Sequence, residues 1–129
     1  MKKKIIQTDR APNPVGPYSQ GVVAGDFLFI SGQVSLDPST GKITGETIEE
    51  QTKVTLENTK AIIEKSGASL ADVVKVTAVL NDMNDFKAFN SVYQTYFPSN
   101  QPARICYGGS LLAAGKLLLE IDAIVFKPK

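Results

Sequence analysis

Two charged residues near the carboxyl end of the chain have the types and spacing needed for acid–base chemistry. Arg104 stands in "PARIC" at the opening of a predicted strand, and Glu120 interrupts the apolar run "LLLEIDAIVF". A guanidinium can hold a carboxylate through two parallel N–H···O bonds, and a carboxylate in apolar surroundings can move a proton or position a water. The pair is therefore either a structural ion pair at an edge or interface or the lining of a pocket for a small acid.

Glu120 is predicted to have apolar neighbours on its strand. Strand alternation puts Leu118, Glu120, Asp122 and Ile124 on one face. Because desolvation of an unpaired carboxylate costs several kcal/mol, we expect Glu120 to be paired, hydrogen-bonded or raised in pKa. Arg104, on the preceding strand, is the obvious partner.

Three further residues are weaker candidates for the pocket. Cys106 shares a face with Arg104 by the period of two, and is either a small buried residue or one whose backbone contacts a ligand. Tyr18 lies in the proline-rich stretch "APNPVGPYSQG", where a tyrosine can simply anchor the loop. Ser31 precedes Gly32 at a strand end, where serine is also a common turn residue.

The composition excludes several classes of chemistry. The 129 residues include no histidine, which removes Ser-His-Asp and Cys-His catalysis and imidazole metal ligands. The single cysteine excludes an intramolecular disulfide and cysteine-rich metal sites. The net charge of +1 gives no basic field for nucleic acid, and no apolar run suggests a membrane span. We therefore expect a soluble, cytoplasmic protein with a single domain over residues 1–129.

Apolar periodicity predicts an α+β fold with the element order strand, strand, strand, helix, strand, helix, strand, strand. Five of the six strands can be placed in the sequence, at residues 20–24, 27–34, 72–80, 103–109 and 117–126. Helices are predicted over 48–66 and from 82–84 to 97. Thr47 with Glu50 forms a capping-box signature, and Gly67 is placed to end the first helix.

The second helix carries an aromatic stripe, which we interpret as core packing against the sheet. The stripe consists of Phe86, Phe89, Tyr93, Tyr96 and Phe97. Both helices are expected on one face of a mixed sheet. Since several strands are apolar on both sides, the uncovered face predicts a partner subunit and hence a homo-oligomer.

Six segments, in order and spacing, closely resemble the RidA family of reactive intermediate (enamine/imine) deaminases. They are "NPVGPYSQGV", "FLFISGQVSLDPSTGKI", "QTKVTLENTKAIIEKSG", "VVKVTAVLNDMNDFKAFNSVYQTYF", "PARIC" and "LEIDAI". The resemblance implies a chorismate-mutase-like α+β fold and a homotrimer with active sites in clefts between subunits. It also implies hydrolysis of 2-imino acids, such as 2-iminobutanoate and 2-iminopropanoate, to 2-oxo acids and ammonia without cofactor or metal.

The resemblance also implies a role for each candidate residue. Arg104 matches the arginine that binds the substrate carboxylate, and Glu120 matches the acid that positions or activates water. Cys106 matches the pocket cysteine whose backbone contacts the ligand, and Tyr18 and Ser31 match residues that line the pocket. The chain departs from the family pattern at Ile105, where Ser or Thr is frequent, and in the 110–117 loop, which is one residue longer.

Two other functions remain as alternatives to the deaminase. A binding module for 2-oxo acids would need Arg104 but would tolerate the loss of Glu120. An RNA-directed role, translation inhibition or ribonuclease activity, has been attributed to relatives. The absence of histidine and of a basic stripe makes it the last of the three.

Overall fold

A mixed six-stranded sheet with two α-helices makes up the part of the chain that the computed structural model describes, residues 2–111 and 115–128. The strands are β1 (Lys4–Ile6), β2 (Gly21–Ala24), β3 (Phe27–Gln33), β4 (Val73–Leu80), β5 (Ala103–Gly108) and β6 (Leu119–Phe126). The helices are α1 (Ile48–Lys65) and α2 (Phe86–Tyr96). The strand order is β1-β2-β3-β6-β4-β5, in which β4 and β5 run parallel and the other neighbours antiparallel.

The predicted order of elements is confirmed, and each of the five placed strands agrees with the structure to within two residues. The strand that the sequence did not place is β1, which pairs with β2 through Ile5 and Val22. It is too short for a pattern of alternation to mark it. The predicted connection between β5 and β6 includes residues 112–114, which lie outside the described residues.

The predicted capping box starts α1. The Thr47 hydroxyl accepts a hydrogen bond from the Glu50 amide at 3.1 Å, and the Glu50 carboxylate accepts one from the Thr47 amide at 3.1 Å. Gly67 follows the helix with a φ of +93°, a conformation that glycine adopts without strain. The helix is thereby fixed at both ends, with its buried side against the sheet.

The second helix begins later than predicted. A short 3₁₀ turn, Met83–Asp85, comes first, and the Asp82 side chain accepts a hydrogen bond from the Asn84 amide at 2.9 Å. Three rings of the aromatic stripe are buried, with centroids 5.4 Å apart for Phe89–Tyr93 and 4.8 Å for Tyr93–Phe97. Neither α1 nor α2, in the part of the chain described, is long and apolar enough to cross a membrane.

The two faces of the sheet differ sharply in burial. The face under both helices carries the buried residues Leu28, Ile30, Val76, Ala78, Ile121, Ala123 and Val125. The opposite face exposes large apolar side chains, and we call it the open face. Its exposed members include Ile5, Phe27, Phe29, Ile105, Tyr107 and Phe126. The prediction of a sheet with helices on one side and an apolar surface on the other is confirmed.

Candidate functional site

Arg104 extends from β5 toward α2 and is held by that helix. Its Nη1 donates a hydrogen bond to the Asn90 side-chain oxygen at 2.8 Å. The guanidinium carbon lies 4.7 Å from the ring centroid of Tyr93, 5.6 Å from that of Phe89 and 5.7 Å from that of Phe86. A cation at these distances from aromatic rings is attracted by their quadrupoles. The helix therefore fixes the position of the positive charge.

The contacts from α2 follow directly from helix geometry. Positions 86, 89, 90 and 93 are spaced by three or four residues, so their side chains lie on one side of the helix. Sequence reasoning assigned Phe86, Phe89 and Tyr93 to core packing and did not single out Asn90. The sequence does indicate which side of α2 Asn90 faces, because Asn90 lies one turn before Tyr93, on the same side as the aromatic stripe.

A cavity of about 390 Å³ opens beside the guanidinium. It is lined by Asn90, Tyr93, Gln94, Phe97, Gln101, Pro102 and Arg104. An arginine side chain has five N–H donors in a planar fork. Because the hydrogen bond from Arg104 to Asn90 uses one of these donors, others remain available to a ligand. This environment suits a small carboxylate.

Glu120 and Arg104 do not approach one another within the chain. Arg104 is paired in register with Val76 of β4, whereas Glu120 is paired with Val79. Because these partners are three residues apart on one strand, their side chains point to opposite faces. Arg104 thus faces the helices and Glu120 faces the open side. Within one chain they form no ion pair, because the odd spacing along β4 separates them. An ion pair at an interface between subunits stays a prediction.

Glu120 lies against Gly32 of β3 on the open face. A Cβ placed on Gly32 would lie 2.5 Å from a carboxylate oxygen of Glu120, so the absence of a side chain there makes room for the acid. Burial raises the pKa of Glu120, and the nearby negative charge of Asp122 raises it further. The expectation of a raised pKa is confirmed. A carboxylate in this state is a stronger base than an ordinary glutamate.

Ser31 and Tyr18 lie on the Glu120 side of the molecule. Ser31 occupies an irregularity in the pairing of β3 with β6, and its hydroxyl donates to the Ser19 carbonyl at 2.5 Å. The Tyr18 hydroxyl accepts a hydrogen bond from the Val15 amide at 3.2 Å. Tyr18 and Gly32 line the same small cavity of about 30 Å³. These contacts bring Tyr18 and Ser31 close to the strand segment over which Glu120 lies.

Cys106 lies on the Arg104 side, as the period of two predicts. It is paired with Ala78 of β4 and is half-buried. Burial raises the pKa of its thiol, and the Arg104 guanidinium opposes that rise only in part. The side chain is therefore a poor nucleophile. Because β5 is an edge strand of the described sheet, backbone groups on its outer side remain available to a ligand.

The candidate residues thus form two groups on one chain. The first, which we call the Arg104 half-site, consists of Asn90, Tyr93, Arg104 and Cys106. The second, the Glu120 half-site, consists of Tyr18, Ser31, Gly32 and Glu120. One half-site can hold a carboxylate, and the other can position a water or accept a proton.

The chain belongs to the Endoribonuclease L-PSP family, whose sequence model matches residues 8–127. It is 50% identical over 127 residues to a RutC family protein of Pyrococcus abyssi, covering 98% of this chain and 99% of that protein. It is 44% identical over 124 residues to Reactive Intermediate Deaminase A, chloroplastic, of Arabidopsis thaliana, covering 96% of this chain and 66% of that protein. The resemblance predicted from the six sequence segments is confirmed.

A solved structure shows the same fold with a small molecule bound. The crystal structure of Escherichia coli TdcF with bound serine matches with a TM-score of 0.88 and 41% identity, covering 96% of this chain and 98% of that one. Serine is a small molecule with a carboxylate. That relative therefore binds a ligand of the chemical class that an arginine can recognise.

Proposed function

We propose that this protein hydrolyses reactive 2-imino acids and enamines, such as 2-iminobutanoate and 2-iminopropanoate, to 2-oxo acids and ammonia. The observation that carries the proposal is the Arg104 guanidinium, fixed by α2 beside a cavity with most of its donors available. A free 2-imino acid presents a carboxylate next to an electrophilic carbon. Relatives with the name reactive intermediate deaminase support this class of reaction.

The proposal includes a homotrimer of the chorismate-mutase-like type in which each active site is shared between neighbouring chains. Arg104 and Glu120 lie on opposite faces of the sheet, so one chain cannot direct both at the same substrate. Contact between the Arg104 half-site of one subunit and the Glu120 half-site of the next would complete the site. Burial of the apolar open face would supply the driving force for assembly.

The reaction can be followed through the residues of the two half-sites. Arg104 holds the substrate carboxylate through two parallel bonds, and the Cys106 backbone contacts the same end. A water ordered by Tyr18 and Ser31 attacks C2 while Glu120 accepts its proton. That proton passes to the imino nitrogen, which gives a carbinolamine with a hydroxyl and an amino group on C2. Glu120 then takes the hydroxyl proton and delivers it to the amino nitrogen, the C–N bond breaks, and ammonia leaves as the 2-oxo group forms. Orientation of the water and of the electrophilic carbon supplies most of the rate gain.

This chemistry uses carboxylate, guanidinium, hydroxyl and backbone groups throughout. We propose that neither cofactor nor metal takes part, that residues 1–129 act as one domain, and that the protein works in the cytoplasm. We do not extend the proposal to RNA cleavage or specific nucleic-acid binding. The sequence has no histidine for general acid–base cleavage, and its net charge of +1 gives little attraction for phosphates.

Mixing two strongly impaired variants tests the proposed reaction and the shared site together. Arg104→Ala and Glu120→Gln are each assayed for loss of an imine generated by an amino-acid oxidase, and then refolded as an equal mixture. If one site combines residues from two chains, random assembly of the mixture leaves both residues intact in about one site in four over all trimers, and activity returns. If both residues act within one chain, mixing restores nothing. Wild-type protein that leaves the imine lifetime unchanged contradicts the deaminase itself.

A binding module for small carboxylates is the second candidate, and the serine-bound TdcF structure favours it. Such a module needs Arg104 but no proton acceptor. It would bind 2-oxobutanoate equally well in the wild type and in Glu120→Gln, without accelerating imine loss in either. Turnover by the wild type that falls sharply in Glu120→Gln separates the deaminase from the module.

A further inference from the structure

Tyr93 carries a hydroxyl that its surroundings do not explain. The residue is 6% exposed, and its side-chain oxygen is buried without a hydrogen-bond partner in the described structure. Phenylalanine would fill the same space between Phe89 and Phe97 without that oxygen. A buried hydroxyl that lacks a partner is destabilising, so its presence calls for a role outside core packing.

The position of Tyr93 connects the hydroxyl to Arg104. Its ring is nearer to the guanidinium carbon than either phenylalanine ring, and the residue lines the same cavity as Arg104. Burial raises the pKa of the Tyr93 hydroxyl, while the charge of Arg104 and the polar interaction of the hydroxyl with its guanidinium act in the opposite direction. The hydroxyl therefore remains neutral at physiological pH and lies within the field of the guanidinium.

We propose that Tyr93 is a positioning residue, whose hydroxyl accepts a hydrogen bond from Arg104 when a substrate carboxylate fixes the guanidinium. The inference rests on the proposed function, because it assigns Arg104 to the carboxylate. In the unliganded chain the well-aligned side-chain hydrogen bond from Arg104 goes to Asn90, and the Tyr93 hydroxyl lies near enough to the guanidinium to interact with it. When the guanidinium of Arg104 rotates slightly, it donates a second hydrogen bond, to the Tyr93 hydroxyl. One edge of its planar group stays free to bind the ligand carboxylate.

This arrangement couples a hydrogen bond to ligand binding. The well-aligned bond exists only in the bound state, and in the free state the hydroxyl and the guanidinium interact without that alignment. Most of the energy of the bond therefore appears as substrate affinity. A hydrogen bond to a charged donor is worth enough to change affinity about 10-fold. Loss of the hydroxyl should then raise KM and the Kd of a product-like acid about 10-fold, with little change in kcat.

The test compares Tyr93→Phe with the wild type and with Tyr96→Phe. Tyr96 is the other tyrosine of α2, and its hydroxyl donates to Glu57 at 2.7 Å on the side of α1. The measurements are 2-oxobutanoate binding by calorimetry, imine turnover and Tm. We expect Tyr93→Phe to bind about 10-fold more weakly while its Tm stays level or rises. Tyr96→Phe should lose stability and keep the wild-type Kd and KM.

Two results overturn the proposal. One is a Tyr93→Phe variant with the wild-type Kd, which shows that the hydroxyl does not assist Arg104. The other is wild-type protein that does not bind 2-oxobutanoate, which removes the carboxylate role of Arg104 as well. Wild-type protein that binds the acid but does not hydrolyse imines contradicts the proposed function alone. In that case the Kd comparison still decides the role of Tyr93.

Discussion

The Glu120 carboxylate occupies the space that a side chain at Gly32 would fill. A Cβ on Gly32 would stand 2.5 Å from a carboxylate oxygen and 2.9 Å from the carboxyl carbon. The obstacle is the far end of a flexible side chain, which can rotate away. A methyl group at position 32 should therefore move the acid while leaving the sheet intact.

Gly32→Ala provides the first prediction. We expect kcat/KM to fall about 100-fold, since a displacement of about 1 Å is enough to misplace a catalytic group. The Tm should change little. Gly108→Ala is a matched control, because its Cβ would lie 2.9 Å from a Met83 side-chain carbon at the far end of β5. If Gly32→Ala retains full activity, Glu120 does not need the position it has in the structure.

Arg104→Ala should raise KM about 100-fold, because two charge-assisted hydrogen bonds to the carboxylate are lost. Arg104→Lys keeps the charge but loses the planar fork, so we expect an intermediate KM. Steady-state kinetics on an oxidase-generated imine measures both. Arg10→Ala is the control, because Arg10 forms an exposed ion pair with Glu64 at 3.5 Å and should leave KM unchanged. Equal effects of the two alanine substitutions would contradict a specific role for Arg104.

The pH dependence follows from the raised pKa of Glu120. The proposed base must be ionised, so activity should fall as the pH drops through a value above the usual range of a glutamate. In Glu120→Gln the residual activity should lack this acid limb. The limb is measured as kcat/KM from neutral to mildly acid pH. If Glu120→Gln shows the same fall in kcat/KM at acid pH, the fall is due to another titrating group.

The raised pKa of Glu120 also affects the stability of the fold. A carboxyl group whose pKa is raised on folding favours the folded state at low pH, and this contribution is lost as the pH rises through the folded-state pKa. At neutral pH the ionised, half-buried Glu120 is therefore unfavourable to folding. Glu120→Gln should raise the Tm at pH 7, and the gain should disappear below about pH 4, where glutamate is protonated in the unfolded chain as well. Thermal unfolding across this range checks the sign.

Phe29→Lys tests the role of the open face. Phe29 is 45% exposed on β3 and is paired with Val22 on one side and Ile124 on the other. A lysine in a buried subunit contact would leave an unpaired charge, so we expect assembly and imine hydrolysis to be lost together. Sedimentation measures the mass of the species in solution. Lys53→Glu, on the exposed side of α1, should remain assembled and active.

The fold could be predicted closely because its signals are local. The β-branched run of β4, the capping box at Thr47 and the aromatic stripe of α2 each depend on neighbours along the chain. The strand β1 was not placed because three residues give no periodicity. The later start of α2 reflects the 3₁₀ turn, since the Asp82 cap serves that turn before the α-helix begins.

The candidate site was harder to predict because it depends on register. Strand alternation correctly put Cys106 on the face of Arg104, but it could not relate Arg104 to Glu120. That relation depends on which residues of β4 lie opposite each of them, Val76 and Val79. Asn90 was missed for a similar reason, since its contact with Arg104 requires the packing of α2 on β5.

Because Arg104 and Glu120 lie on opposite faces of the sheet, the activity per chain should depend on the concentration of the protein. If each site needs two chains, an isolated chain has none, and the rate per chain falls when the protein is diluted below the point at which it assembles. A newly made chain would then remain inactive until it met its neighbours. Cells with little of the protein would lose more activity than the fall in its amount alone predicts.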